Sequence, residues 1–112
     1  MIRAALLAFV VLALTAAQAS SQRQSVAVFD FELIDTSLEG ELIGPRSDEQ
    51  SRLIRLGDQL RQRIRESGRF SLADTTSVAD EARTRNLHAC TQCAASLARK
   101  AGADLALTGT IQ

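Results

Sequence analysis

The stretch Ser25 to Leu33, SVAVFDFEL, constrains the fold of this chain more than any other segment. It is rich in Val and Phe, and its first half is apolar at consecutive positions. Successive side chains of a strand point to opposite faces, so a run that is apolar throughout needs cover on both. The segment therefore predicts a central strand sandwiched between helices in an α/β domain. By the same alternation, Asp30 and Glu32 share a face with Val26 and Val28, which predicts that the strand leaves the core near Asp30.

Helical spacing follows. Ile34 to Arg46 reads as a loop, with Gly40, Gly44 and the single proline, Pro45. Ser47 with Gln50 three residues later reads as a capping box, and Asp48 and Glu49 suit the positive end of a helix dipole. Leu53, Leu56, Leu60 and Ile64 make one apolar stripe, with Arg52, Arg55, Arg61 and Arg63 mostly off it. Gly68 is placed to end this helix in a left-handed turn. Arg69 to Ala73 reads as a short edge strand. Thr75, Thr76 and Ser77 offer caps for a second helix over Val78 to Leu87. A third runs from Cys93 to Lys100, with Leu97 inward, Arg99 and Lys100 in the last turn, and Gly102 as the stop. Ala103 to Ile111 reads as the final strand. The order β-α-β-α-α-β predicts a small, mostly parallel sheet with right-handed crossovers and strand order 2-1-3. The apolar run Leu105-Ala106-Leu107 lies beside an uncapped terminus. The expectation is therefore a fold cut short after its third strand, with an open edge that self-associates.

Met1 to Ala19 reads as a signal peptide. Arg3 gives a positive start, an apolar run follows from Ala4 to Ala17, and Ala17-Gln18-Ala19 matches the small-x-small cleavage pattern. The run is shorter than the roughly 20 apolar residues of a membrane span. Cleavage leaves Ser20 to Gln112 as one small α/β domain, bound by a Sec-type route for the periplasm or the medium, with no membrane span of its own. Thirteen basic and thirteen acidic residues cancel. Export and zero net charge argue against nucleic acid as a partner, which needs a basic footprint. Acidic residues gather between Asp30 and Glu49 and basic ones after Gln50, an asymmetry able to steer a charged partner or simply to solvate a loop and a helix face.

The two cysteines of the chain, Cys90 and Cys93, form one C-x-x-C. An oxidising compartment lets them bond. The pair is a structural clasp or a thiol redox centre. Residues three apart inside a helix hold their Cβ atoms too far apart for a disulfide, so the bond is easiest with Cys90 just outside the helix and Cys93 in its first turn. A thiolate there is also stabilised by the helix dipole. The thioredoxin pattern, however, wants its C-x-x-C directly after a strand, whereas a helix precedes this one. His88, Cys90 and Cys93 fall one ligand short of a structural zinc site, so neither a metal nor a cofactor is expected. Asp30 and Glu32 stand at the carboxyl end of the central strand, where open parallel sheets bind ligands, with Thr108 and Thr110 on the neighbouring strand. These four are the candidate ligand or partner contacts, against the plainer reading of a strand emerging into solvent.

Several segments carry a resemblance. Val26 to Leu33 with Asp35 to Glu41, and then Cys90-x-x-Cys93 with Leu97 to Asp104 and Thr108 to Gln112, resemble an uncharacterised family of exported bacterial proteins, a domain of unknown function. The resemblance implies that fuller relatives continue into further strands. The strand opening and the helix–strand pattern ending in Gly102-Ala103-Asp104 are also similar to a broader fold group. That group includes the N-terminal domain of the periplasmic Tol translocation protein and the curli secretion lipoprotein, domains that mostly bind protein partners or assemble. It carries over no catalytic residue. Together these features point to a non-enzymatic exported accessory domain that binds a protein partner. The alternative is a periplasmic thiol–disulfide protein using Cys90 and Cys93.

Overall fold

The computed structural model of the chain describes residues 22–44 and 46–112. The expected signal peptide, Met1 to Ala19, lies outside the described residues, as does Pro45. Strand β1 (Ser25–Val28) forms the centre of a parallel sheet, flanked by β3 (Ser71–Leu72) and β4 (Leu105–Leu107) in the order β3-β1-β4. This is the 2-1-3 order of the three main chain segments, and it makes the domain a small α/β fold. Val26 pairs with both Leu72 and Leu105, while Val28 pairs with Leu107. Central placement matches the composition of β1: Ala27 is 0% exposed and Val28 1%.

Each face of β1 has its own cover. Ala27 and Phe29 belong to one cluster with Val78, Leu87, Ala94, Leu97, Ala98 and Ala103. The helix on that side, α4 (Thr91–Lys100), supplies Ala94, Leu97 and Ala98. The other face turns toward α2 (Ser47–Ser67), which buries Leu53 and Gly57. Right-handed crossovers that run from β1 to β3 on one side and then back from β3 to β4 on the other must place their helices on opposite faces.

Four local expectations are corrected. The segment before α2 is not all loop, because Leu38–Ile43 forms the short helix α1, with the Ser37 hydroxyl accepting from the Gly40 N–H at 3.1 Å. Helix α2 begins one residue earlier than a Ser47 cap requires. Its N-cap is Arg46, whose N–H donates to the Glu49 carboxylate at 3.4 Å. Arginine carries no acceptor, so only this return half of a capping box forms. Of the expected stripe, Leu53, Leu60 and Ile64 turn inward and are joined by Gly57 and Arg61, whereas Leu56 is 40% exposed. The second helix is divided into a 3-10 turn (Thr76–Val78), α3 (Ala79–Arg83) and a second 3-10 turn (Leu87–Ala89). Val78 and Leu87 nonetheless reach the core as anchors. Gly68 ends α2 at φ 66°, the left-handed conformation that its lack of a Cβ permits.

Beyond Val28 the β1–β4 ladder breaks and then resumes as a second parallel pair. Here β2 (Glu32–Leu33) meets β5 (Thr110–Ile111), with Glu32 opposite Thr110. Between Val28 and Glu32 lie Phe29, Asp30 and Phe31, whereas between their partners Leu107 and Thr110 lie only Thr108 and Gly109. The first strand thus carries one extra residue, a β-bulge. The Phe29 N–H to Leu107 carbonyl bond at 3.0 Å and the Glu32 N–H to Gly109 carbonyl bond at 3.0 Å frame it.

Candidate functional site

One extra residue in a strand reverses the face of everything after it. Asp30 keeps the parity of Val28 and points toward α2. Glu32 is turned over, to the side of Ala27 and Phe29. Strict alternation predicted that the two carboxylates share a face; the bulge separates them, and each meets a different partner.

Asp30 meets Arg61. One Arg61 nitrogen, Nη2, donates to Asp30 Oδ1 at 3.0 Å and to the Val28 carbonyl at 2.8 Å. The other, Nη1, donates to Asp58 at 2.9 Å. The Val28 carbonyl has a physical reason to need this. Alternation along β1 points it toward the β3 side, and the last bond on that side runs from the Ala73 N–H to the Val26 carbonyl. A carbonyl left without a strand partner in a half-buried position costs free energy, and the guanidinium satisfies it. Close approach of α2 makes this reach feasible. A Cβ on Gly57 would lie 3.2 Å from Asp30 Oδ1 and 3.3 Å from Arg61 Nη1, so a glycine lets the helix and the ion pair occupy the same space.

Glu32 meets the turn on the other side. Its carboxylate accepts from the Leu87 N–H at 3.1 Å and from the His88 N–H at 2.8 Å, with His88 Nδ1 at 3.5 Å. It thereby caps the 3-10 turn that leads directly into Cys90. The cysteines are disulfide-bonded, with Cα atoms 5.2 Å apart. Cys90 is the N-cap of α4, and its sulfur accepts from the Cys93 N–H at 3.2 Å. This is the arrangement that the helix geometry required, with one cysteine outside the helix and one in its first turn.

Asp30 and Glu32 both line a crevice of about 330 Å³ at the carboxyl end of β1. Its walls come from the bulge, from Leu53 and Arg61 of α2, and from Thr75, Ala79 and Leu87 beyond β3. The chain leaves β1 toward one face and leaves β3 toward the other, so the crevice opens between the two diverging loops, outside the carboxyl ends of these strands. Thr108 and Thr110 do not join it. Both are exposed, on the β4 side of β1, Thr110 opposite Glu32 in the second ladder. Arg61, Arg83 and Arg85 line the crevice and were not singled out by sequence spacing. For Arg61 a signal existed: it lies four residues after Gly57 and eight after Leu53, on the buried stripe.

Fold and site define a small, doubly covered parallel α/β domain, with a bulge-bordered crevice beside a disulfide-capped helix. The family model DUF3280, described as "Protein of unknown function (DUF2380)", matches residues 24–112, and the chain belongs to that family. No curated protein and no solved structure gives a match.

Proposed function

We propose that this is an exported, non-catalytic accessory domain that binds an extended segment of a protein partner along the open edge of β4. The observation that carries the reading is the state of that edge. Leu105 is 38% exposed, Leu107 37% and Ile111 38%, on a stretch from Leu105 to Gln112 with neither charge nor proline. Proteins usually blunt a bare edge with Lys, Pro or a covering element, so an unblunted one invites strand addition. Leu107 accepts from Phe29 on the inner side, so alternation turns the Ala106 N–H and C=O outward. The proposed fold kinship with the Tol N-terminal domain and the curli lipoprotein, which work mostly through protein partners, supports the same reading.

Ala106→Pro removes the outward N–H and leaves the inner ladder in place. The expected result is that a partner cross-linked to the wild type in periplasmic extract is lost from the variant, with helix content and melting temperature unchanged. A variant that captures the same partner equally well overturns the edge as the docking site. Export is checked separately by N-terminal sequencing of periplasmic material. A start at Ser20 supports it, and a retained Met1 in the membrane fraction overturns it.

The Cys93 N–H bond to Cys90 sulfur favours a second reading, a thiol–disulfide protein, because the same donor would stabilise a Cys90 thiolate. A reduction potential below about −300 mV and no insulin reduction mark a clasp; a higher potential with turnover abolished by Cys90→Ser marks a redox protein.

A further inference from the structure

We propose that the crevice at the carboxyl end of β1 is a binding site for a small amphipathic monocarboxylate, its apolar body seated on Phe31, Leu33 and Ile54 and its carboxylate held at the mouth by Arg85 and Arg83. This site is independent of the partner edge, since the crevice opens between β1 and β3, and β4 lies on the far side of β1.

The inner charges of the crevice are already spent on the fold. Arg61 is held by Asp30, Asp58 and the Val28 carbonyl, and Glu32 by two backbone N–H groups. What remains for a ligand is an apolar inner wall and a cationic rim. Phe29, Leu53 and Leu87 are 4%, 6% and 4% exposed and form the floor, while the half-buried Phe31 and Leu33 and the 44% exposed Ile54 present the apolar surface. The volume, about 330 Å³, lies at the small end of the range of ligand pockets.

The rim supplies one cation in excess. Arg83 bonds Asp80 at 3.2 Å with both side chains mostly exposed, a contact of the kind that contributes little. Arg85 bonds Glu81 at 3.3 Å, but Lys100 holds the same carboxylate at 3.1 Å. Two acids thus face three cations, and Glu81 stays neutralised when Arg85 swings away. A guanidinium released in this way offers a planar pair of donors that suits a carboxylate. A single surplus charge favours a monoanion over a phosphate, which brings nearer two charges. The apolar wall selects an acid with a hydrocarbon body over acetate or formate.

The test is a titration of the full exported domain with octanoate, followed through backbone amide shifts, beside octanol and acetate. Octanoate is expected to move the amides of Phe29 to Leu33 and Thr75 to Leu87 in a saturable way. Its dissociation constant is expected to be on the order of 1 mM, the range open to a ligand of this size. Octanol, with the body and no charge, and acetate, with the charge and no body, should each bind about tenfold more weakly or worse. Arg85→Ala should weaken octanoate severalfold while Arg99→Ala, an exposed cation on α4, leaves it unchanged. Three results each overturn the proposal. They are no saturable shift at the crevice, shifts confined to the β4–β5 edge, and equal binding of octanoate and octanol. Equal loss from Arg85→Ala and Arg99→Ala would do the same, because it would reduce the effect to general charge.

Discussion

Strands β1 and β4 lie in register beside each other and are built from the same kind of residue. Val28 and its partner Leu107 are 1% and 37% exposed, and Val26 and Leu105 are 6% and 38% exposed. Hydrophobicity makes both segments strands, but helices decide which is buried. On one side β1 is covered by α4 with Val78 and Leu87, and on the other it faces Leu53 and Gly57 of α2. α4 packs along β4 as well, yet every residue of β4 remains exposed. A protein edge of this composition is either a docking surface or a liability. The bulge follows the same division. It falls where β1 passes beyond its double cover, and it aims Asp30 and Glu32 at opposite sides.

The largest expected effect tests the covered side. Leu97 is 2% exposed at the centre of the α4 cluster, so Leu97→Ala removes buried methyl groups and leaves a cavity. A cost of about 2–5 kcal/mol is expected, a large part of the stability of so small a domain. Urea unfolding followed by circular dichroism measures it. A loss below about 1 kcal/mol would mean that α4 does not cover β1 as described.

The registered pair gives the direct contrast. Val28→Ala should cost about 1.5–3 kcal/mol, the range for a fully buried aliphatic side chain. Leu107→Ala, directly opposite, should stay within about 0.5 kcal/mol, as exposed positions do. Equal costs would show that β4 is covered in solution, by self-association or a partner, and sedimentation at several concentrations would tell which.

Much of the covered half was legible in the sequence. The doubly apolar SVAV run announced a central strand, the sparse helical pattern around it yielded the strand order, and elementary helix geometry placed Cys90 outside α4. The uncovered half was less so, for identifiable reasons. A bulge is a relation between two strands, and Phe29-Asp30-Phe31 reads as an ordinary strand until it is set against Thr108-Gly109. Helix α1 buries no residue, with Leu38 70% and Leu42 76% exposed, so no core-facing period marks it. Arg61 escaped because stripe counting admits only apolar residues, while the half-buried slot needed a donor for the Val28 carbonyl. The placing of Asp30 and Glu32 at the carboxyl end of β1 was legible from strand alternation and sheet order, but not their separation, and not the arginines of the rim.

Arg61 joins the two regions, since it holds α2 against the last covered residue of β1. Arg61→Ala leaves the Val28 carbonyl and Asp30 without this donor, and a loss of about 2 kcal/mol is expected, in the range of charge-assisted hydrogen bonds. Arg61→Met retains the apolar stem, so a comparable loss in both variants assigns the effect to the guanidinium. Full stability of the methionine variant would assign it to packing alone and remove the bond from the account of the bulge.

The smallest expected effect concerns acid, and it separates the strand-end loops from the core. Asp74 follows β3, and its carboxylate accepts from the Thr76 hydroxyl at 2.6 Å and the Thr76 N–H at 2.9 Å. These bonds, the hydroxyl first, lower its pKa below the ordinary 3.8. Asp35, after β2, is lowered in the same way by the side chain and then the backbone of Ser37. A carboxyl group with a depressed pKa in the fold takes up its proton later than in the unfolded chain. Its contribution is therefore in place above pH 3.8, and it is lost as pH falls through the lowered value. Both groups are fully exposed, so the contribution is small, and a titration detects it better than an unfolding curve. The Thr76 and Ser37 amide shifts should move together with their own carboxylates below pH 3.8, while the amides of Ala27 and Val28 stay still. Asp74→Asn should remove the Thr76 transition and leave that of Ser37. A single transition shared by all four amides would mean that acid opens the covered strand together with the loops, and would erase the boundary between the two regions.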